Sequence, residues 1–213
     1  MSSPFDQSRY QVRLDWGVTG LERLAPADIT VVVDVLRFSS TVVDRVAAGE
    51  SVALDAAAHA VSLNGAAVAA HAAAKGTVVL LGALRNARAV ADAILAEQRR
   101  RGDRTSIALI AAGELVPGDP GAPLRFAVED LLGAGAVVDA LGALGVDHTS
   151  PEAAAAGEAF RGLRGAVRHL LTASGSGQEL IDRGQRDEVV AAAAVDAATC
   201  VPVLRDGRFT AYA

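Results

Sequence analysis

The sequence has one cysteine, Cys200, among 213 residues. That excludes a disulfide framework and cysteine-based zinc spacing, and leaves Cys200 as a small buried hydrophobe. Aromatic residues make up only 4%, too few for the stacking platforms that hold single-stranded nucleic acid. Basic charge is scarce and scattered: 20 Lys and Arg stand against 25 Asp and Glu, for a net charge of −5. The one basic cluster, Arg99-Arg100-Arg101, suits the negative end of a helix dipole. Nucleic acid is therefore not an expected partner. A membrane is not expected either, because no run approaches the roughly 18 apolar residues of a span. Met1 to Arg9 is polar and lacks the apolar core of a signal peptide, so a cytoplasmic protein is expected. The histidines His59, His71, His148 and His169 show no ligand spacing. There is no P-loop, no GxSxG elbow and no GxGxxG fingerprint.

What is present is apolar. Hydrophobic residues are 51% and charged residues 21%, enough for a large core and too apolar for extended disorder. The abundance of alanine favours close helix packing and leaves room for a homodimer. The length fits a single domain over 1–213, or two lobes sharing a core and divided near 113–124.

The stretch from Ile29 to Thr41 organises the rest. Ile29 to Val35 is β-branched, apolar and short, so it predicts a strand buried on both faces of a sheet, with Asp34 near its carboxyl end. Ser39, Ser40 and Thr41 fall where a helix begins, and their hydroxyls suit capping. Upstream, Tyr10 to Trp16 alternates apolar and polar residues, as a half-buried edge strand does. Downstream, a helix from Ser40 to Ala48 and a short strand from Ser51 to Leu54 complete a βαβ unit. A helix is expected from Gly65 to Ala74, a strand from Thr77 to Leu81, a helix from Asn86 to Arg101 and a strand from Thr105 to Ala111. Val116 to Pro123 reads as a loop and a candidate rim for a site. Helices follow over Phe126 to Leu144 and Pro151 to Leu171, then a small-residue loop from Ser174 to Gly177. Short helices near Gln178 to Arg183 and Asp187 to Thr199 precede a hairpin turning at Asp206-Gly207. Alternating strands and helices make the fold class α/β, with helices on both faces of a largely parallel or mixed sheet.

Ligands of open α/β sheets gather outside the carboxyl ends of strands. Three residue sets fall there: Asp34–Arg37, Leu84–Asn86 and Gly113–Glu114. Glu129-Asp130, at the start of a long helix, adds a fourth wall or simply complements the helix dipole. An acid at a strand end with an arginine and a helix start beside it suits a metal and a phosphate. Each residue also has a plainer reading. Asp34 would cap a turn, Arg37 would pair with Asp34, Ser39 and Ser40 would cap the helix, and Asn64-Gly65 would form a turn.

At these residues the chain resembles the 2-phosphosulfolactate phosphatase family. Asp34-Val35-Leu36-Arg37-Phe38-Ser39-Ser40-Thr41 is similar to its DVLRxST or DVLRATT signature. Ser62-Leu63-Asn64-Gly65-Ala66 resembles its TTNGT segment, with Ala66 in place of threonine. Asn86-Ala87 with Ala89-Val90, Ala112-Gly113, Glu129-Asp130-Leu131 and Gly135 follow the family pattern in order, as do Ser174-Gly175-Ser176 and Val201-Pro202. The chain lacks the GERGG and GNSP elements that family members carry between the first βαβ unit and the NGT segment, and Gly133 stands where a cysteine is frequent. The resemblance implies a three-layer α/β/α fold and a Mg²⁺-dependent phosphatase acting on a small anionic phosphoester. The family's reaction converts 2-phosphosulfolactate to sulfolactate and phosphate, a step toward coenzyme M. It implies Asp34 as metal ligand, with Glu129 or Asp130 as second ligand or general base. Arg37 and the Ser39–Thr41 helix start would hold phosphate oxygens. Asn64 and Asn86 would orient substrate, with Gly65 and Gly113 beside them. The alternative is a catalytically degenerate member that binds a phosphate- or sulfonate-bearing anion without turnover, which the missing segment favours.

Overall fold

The computed structural model describes residues 3–55, 64–115 and 123–212. Its centre is a run of five β-branched residues, Ile29–Val33 (β2), all buried. Side chains that crowd their own backbone favour the extended form, and apolar ones favour being covered on both faces. β2 lies between Val78–Gly82 (β4) and Ile107–Ala111 (β5), and pairs in parallel with both. Val12–Trp16 (β1) pairs in parallel with β5 and forms one edge. Beyond β4 the sheet turns antiparallel, through Pro202–Arg205 (β6), Arg208–Ala211 (β7) and the two-residue strand Val52–Ala53 (β3). The order across the described residues is β1-β5-β2-β4-β6-β7-β3. The β6–β7 turn has both Asp206 and Gly207 at positive φ (49° and 73°), the geometry that matches the twist of a tight hairpin.

Period-two burial along the strands sends alternate residues to opposite layers. Val31, Val33, Leu80 and Leu109 face one layer, where Ala87–Arg101 (α4) and Val128–Ala143 (α5) supply Val90, Ile94, Leu132 and Leu141. Val32, Leu81 and Ile110 face the other, with Gly17–Arg23 (α1), Phe38–Ala47 (α2) and Gly65–Ala74 (α3). The fold is thus the expected three-layer α/β/α arrangement on a mixed sheet. Pro151–Leu163 (α6) packs on the outside of α5 at glycine: a Cβ on Gly135 would lie 2.1 Å from the Ala156 carbonyl oxygen. Val167–Ala173 (α7), Gly175–Asp182 (α8) and Arg186–Ala192 (α9) follow. No helix among the described residues is long and apolar enough to cross a membrane.

Several boundaries differ from expectation for local reasons. β2 ends at Val33, so Asp34 stands beyond the strand. The helix expected from Pro151 to Leu171 is interrupted by a 3₁₀ turn at Arg164–Ala166, which contains Gly165 and follows Gly162 closely. Ser174 to Gly177 is not a loop: Ser174 caps α8, its Oγ accepting the Gly177 N–H at 3.0 Å. The final helix stops at Ala192, short of Thr199. Gly17 and Gly20 lie within α1. Arg13, expected on a solvent face, is buried and donates to the Tyr10, Ala25 and Pro26 carbonyls. Cys200 is half-buried. The expected loop at 116–122, and Ser62-Leu63 of the NGT-like segment, lie outside the described residues.

Candidate active site

The chain leaves β2 for the α1–α3 layer and leaves β5 for the α5 layer. The two loops therefore part, and a crevice opens between the carboxyl ends of β2 and β5. This is the switch point at which such sheets bind ligands.

Asp34 stands on the β2 side. Its Oδ1 accepts the Phe38 N–H at 3.1 Å and its Oδ2 accepts the Gly65 N–H at 3.2 Å. One carboxylate thus joins the N-termini of α2 and α3, whose dipoles favour negative charge there. Gly65 is required for the approach, since a Cβ would fall 2.5 Å from Asp34 Oδ2 and 2.9 Å from Phe38. The helix cap assigned by sequence to Ser39 and Ser40 is therefore supplied by Asp34.

Asp130 closes the crevice from the α5 side. Its Oδ1 accepts the Val35 N–H at 2.8 Å and its Oδ2 the Gly113 N–H at 2.9 Å, so it links the loops after β2 and β5. Burial raises its pKa well above the usual carboxylate value, and the charges of Asp34 and Glu129 push the same way. The two backbone N–H bonds oppose this without prevailing. Its neighbour Glu129 is only 2% exposed. Among the described residues it has no hydrogen-bond or ion-pair partner.

Glu114, one residue past Gly113, is a fourth acid. Burial raises its pKa, Asp34 and Glu129 add to the rise, and the Ser176 hydroxyl, donating to Oε2 at 2.9 Å, works against it. Arg125 is held opposite by a two-way backbone bridge with Glu114. Its guanidinium lies against the first residue of α8, where a Cβ on Gly175 would meet Nη2 at 2.8 Å. Among the described residues that guanidinium has no ion-pair partner. Asn64 completes the rim by donating its Nδ2 to the Gly113 carbonyl at 2.7 Å, and its Oδ1 is buried without a partner.

The structure thus gathers Asp34, Asn64, Gly65, Gly113, Glu129 and Asp130. Other sequence-predicted residues are engaged elsewhere. Ser39 Oγ accepts the Asp34 N–H and donates to the Val32 carbonyl; Ser40 Oγ donates to the Val35 carbonyl. Both fasten the β2–α2 loop from inside. The Thr41 N–H bonds the Arg37 carbonyl, in the first turn of α2. Asn86 is fully buried, with Oδ1 taking the Ala83 N–H and Nδ2 donating to the Leu81 and Cys200 carbonyls. A side chain so occupied does not orient substrate, which corrects the expectation for Asn86. Arg37 pairs with Glu188 of α9 at 2.6 Å, not with Asp34. Sequence reasoning noted Glu114 at a strand end without assigning it a role. It missed Arg125, for which no local signal exists, and quoted Ser176 only within the family-like stretch Ser174-Gly175-Ser176, read as a loop and given no role.

Several carboxylates here share a crevice and raise one another's pKa values, and among the described residues Glu114, Glu129 and Asp130 form no ion pair with an arginine or lysine. A divalent cation would offset that repulsion. No group of three or more His, Cys, Asp or Glu among the described residues converges to hold a metal by itself. Mg²⁺ needs only one or two carboxylates, with waters and phosphate oxygens completing its shell. Asp34 and the unpartnered Glu129 fit that requirement. Asp130, whose oxygens each accept a backbone N–H as those of Asp34 do, differs in that burial and its acidic neighbours favour its neutral form, which suits a cation less.

Residues 55–207 match the family model described as 2-phosphosulpholactate phosphatase. The match takes in Asn64, Gly113, Glu114, Arg125, Glu129 and Asp130, and begins after Asp34 and Arg37. No curated protein matches the chain.

Proposed function

Because the chain belongs to the 2-phosphosulpholactate phosphatase family, we propose that it is a Mg²⁺-dependent hydrolase of a small anionic phosphoester, with 2-phosphosulfolactate as the family's reference substrate. The observation that carries this reading is the division of labour among the acids at one switch point. Asp34 and Glu129 would hold Mg²⁺, which when bound supplies charge neutralisation for the phosphoryl oxygens. Asp130 positions the β2 and β5 loops and carries no ligand. Glu114, an acid whose pKa burial raises, would be the group that donates a proton to the leaving oxygen. Arg125, whose guanidinium lies against the first residue of α8, would take phosphate oxygens together with that helix start. Arg37, paired with Glu188 at the rim, reaches an anion only by exchanging that partner.

The test is phosphate release across a panel of phosphomonoesters, 2-phosphosulfolactate included, with Mg²⁺ and with chelator. Turnover requires Mg²⁺, and Asp34→Asn abolishes it. Metal-independent turnover that survives Asp34→Asn would sink the assignment. The short connection from β3 to α3, with no room for GERGG and GNSP, favours a second reading as a non-catalytic anion binder. Saturable phosphate binding with no release from any ester would establish that reading instead.

A further inference from the structure

Two large apolar side chains, Leu124 and Phe126, are left 36% and 57% exposed beside the acid crevice. They flank Arg125, whose guanidinium reaches the start of α8. Leu124 sits against two glycines that follow different strands. A Cβ on Gly17, at the start of α1, would lie 2.8 Å from Leu124 Cδ2, and one on Gly113, past β5, would lie 2.9 Å from it. Both glycines have positive φ, 60° and 67°, a conformation that disfavours any side chain and keeps the two dents open. Phe126 rests on Trp16, the last residue of β1, with ring centroids 5.2 Å apart at 46°. Between these two contacts, Arg125 exchanges two backbone hydrogen bonds with Glu114, at 2.8 and 2.9 Å.

Segment 123–127 is thus an arm that carries a guanidinium with no ion-pair partner among the described residues. A bridge at a single residue is a hinge, and the apolar contact on each side of it removes the rotation it leaves. On its other side the arm has open space. Leu124, Arg125 and Phe126 line a cavity of about 620 Å³ that Asn64 and Ala112 also border. An arm that lost an anchor could shift into that space, and a displacement of about 1 Å is enough to cost a binding group most of its effect. Gly113 ties the arm to the acids. Its N–H donates to Asp130 and its carbonyl accepts from Asn64, so the surface that seats Leu124 is one that Asp130 fixes.

We propose that Leu124 and Phe126 are positioning residues for Arg125: seated in the glycine dents and on Trp16, they hold its guanidinium where the phosphoryl group binds. The inference rests on the anion-binding role given to Arg125 above but not on turnover, and it applies to a phosphatase and to a non-catalytic anion binder alike.

The probe is inorganic phosphate, titrated by calorimetry into the full-length protein with Mg²⁺ present. Arg125→Ala weakens binding by about tenfold, the size of one charge-assisted hydrogen bond. Leu124→Ala weakens it by a similar factor, yet adds nothing in the Arg125→Ala background, so the double variant also loses about tenfold. A role in the fold alone would add its effect in either background. Leu124→Met refills the dents and restores affinity to within about twofold. Trp16 is the only tryptophan, so its emission follows the seating of Phe126: it changes in Leu124→Ala and returns in Leu124→Met. Unaltered phosphate affinity in Leu124→Ala overturns the proposal, as does a further loss of about tenfold in the double variant. A protein that takes up no phosphate overturns it too. Coupled losses of affinity in a protein that releases phosphate from no ester uphold it and overturn the phosphatase reading alone.

Discussion

β2 and β5 are bridged by an aspartate at each end, and the two bridges differ in the charges that surround them. At the amino ends, Asp28 Oδ2 accepts the Ser106 N–H at 2.8 Å and the Ser106 hydroxyl at 2.6 Å. At the carboxyl ends, Asp130 accepts the Val35 and Gly113 N–H groups at 2.8 and 2.9 Å. Asp28 also has Arg101 at 2.8 Å, and Arg101 and Arg100 together hold the nearby buried Glu97. Asp130 has Asp34 and Glu129. Burial opposes the charge of Asp28, yet Ser106, Arg101 and Arg13 outweigh it and lower its pKa. The Arg100 hydrogen bond leads those that hold Glu97 down at about 2. Burial raises Asp130, and its acidic neighbours raise it further. Similar hydrogen bonds thus serve a corner where arginines offset the acids and one where acids crowd one another, the corner at which we propose that a cation and an anion bind.

The sharpest way to break that contrast is to remove one acid from each end. Glu129→Gln should lower kcat/KM for phosphate release by roughly 10²- to 10⁴-fold and leave the melting temperature unchanged or higher, because a repelling charge has gone. Full activity in that variant would place Glu129 with the structural acids. Glu97→Gln should do the reverse. It removes hydrogen bonds to two arginines, so calorimetry should show a melting temperature lower by about 4–8 °C, with kcat/KM near that of the unmodified protein.

The smallest effect is in pH. Glu97 and Asp28 have lowered pKa values in the fold, so their stabilisation is present above 4.5 and 3.8 respectively and is lost as pH falls through the lowered values, about 2 for Glu97. Glu114 is raised in the fold, so its contribution is full below 4.5 and is lost as pH rises through the raised value. Melting temperature should therefore drop on acidification below about 4 and decline as pH rises above 4.5 through the raised values of Glu114 and Asp130. Glu114→Gln should flatten part of that decline and leave the acid limb in place. A slope above 4.5 identical in the variant would show that Glu114 is not held up by its surroundings.

The sheet was readable because β-branched runs such as Ile29–Val33 carry their own conformational preference and their own reason for burial. Asp34 was readable because an acid just past such a run has few other places to go. The roles of Glu129 and Asp130 were not separable in the sequence. Adjacent helical residues point about 100° apart, and which one meets the loops depends on how α5 lies on β2. That seating is set by Gly133, where a Cβ would strike Val35 at 2.6 Å and Val33 at 2.8 Å. Ser39 and Ser40 look like caps locally, yet their hydroxyls turn back to Val32 and Val35. Arg37 and Asn86 find partners 151 and 114 residues away, beyond the reach of any local pattern.

The mixed sheet also dictates an order of assembly. Ser51, beside β3, bonds Arg208 at a separation of 157 residues, and β4 meets its antiparallel neighbour only through Val203 of β6. As the chain emerges from a ribosome, β1, β2, β4 and β5 can pair once Ile107–Ala111 is out, while the far side of β4 offers unpaired N–H and C=O groups to any passing strand. That opening persists until Pro202–Arg205 follows. The nascent protein is thus most prone to misassembly when its parallel half is finished and its hairpin is still in the exit tunnel.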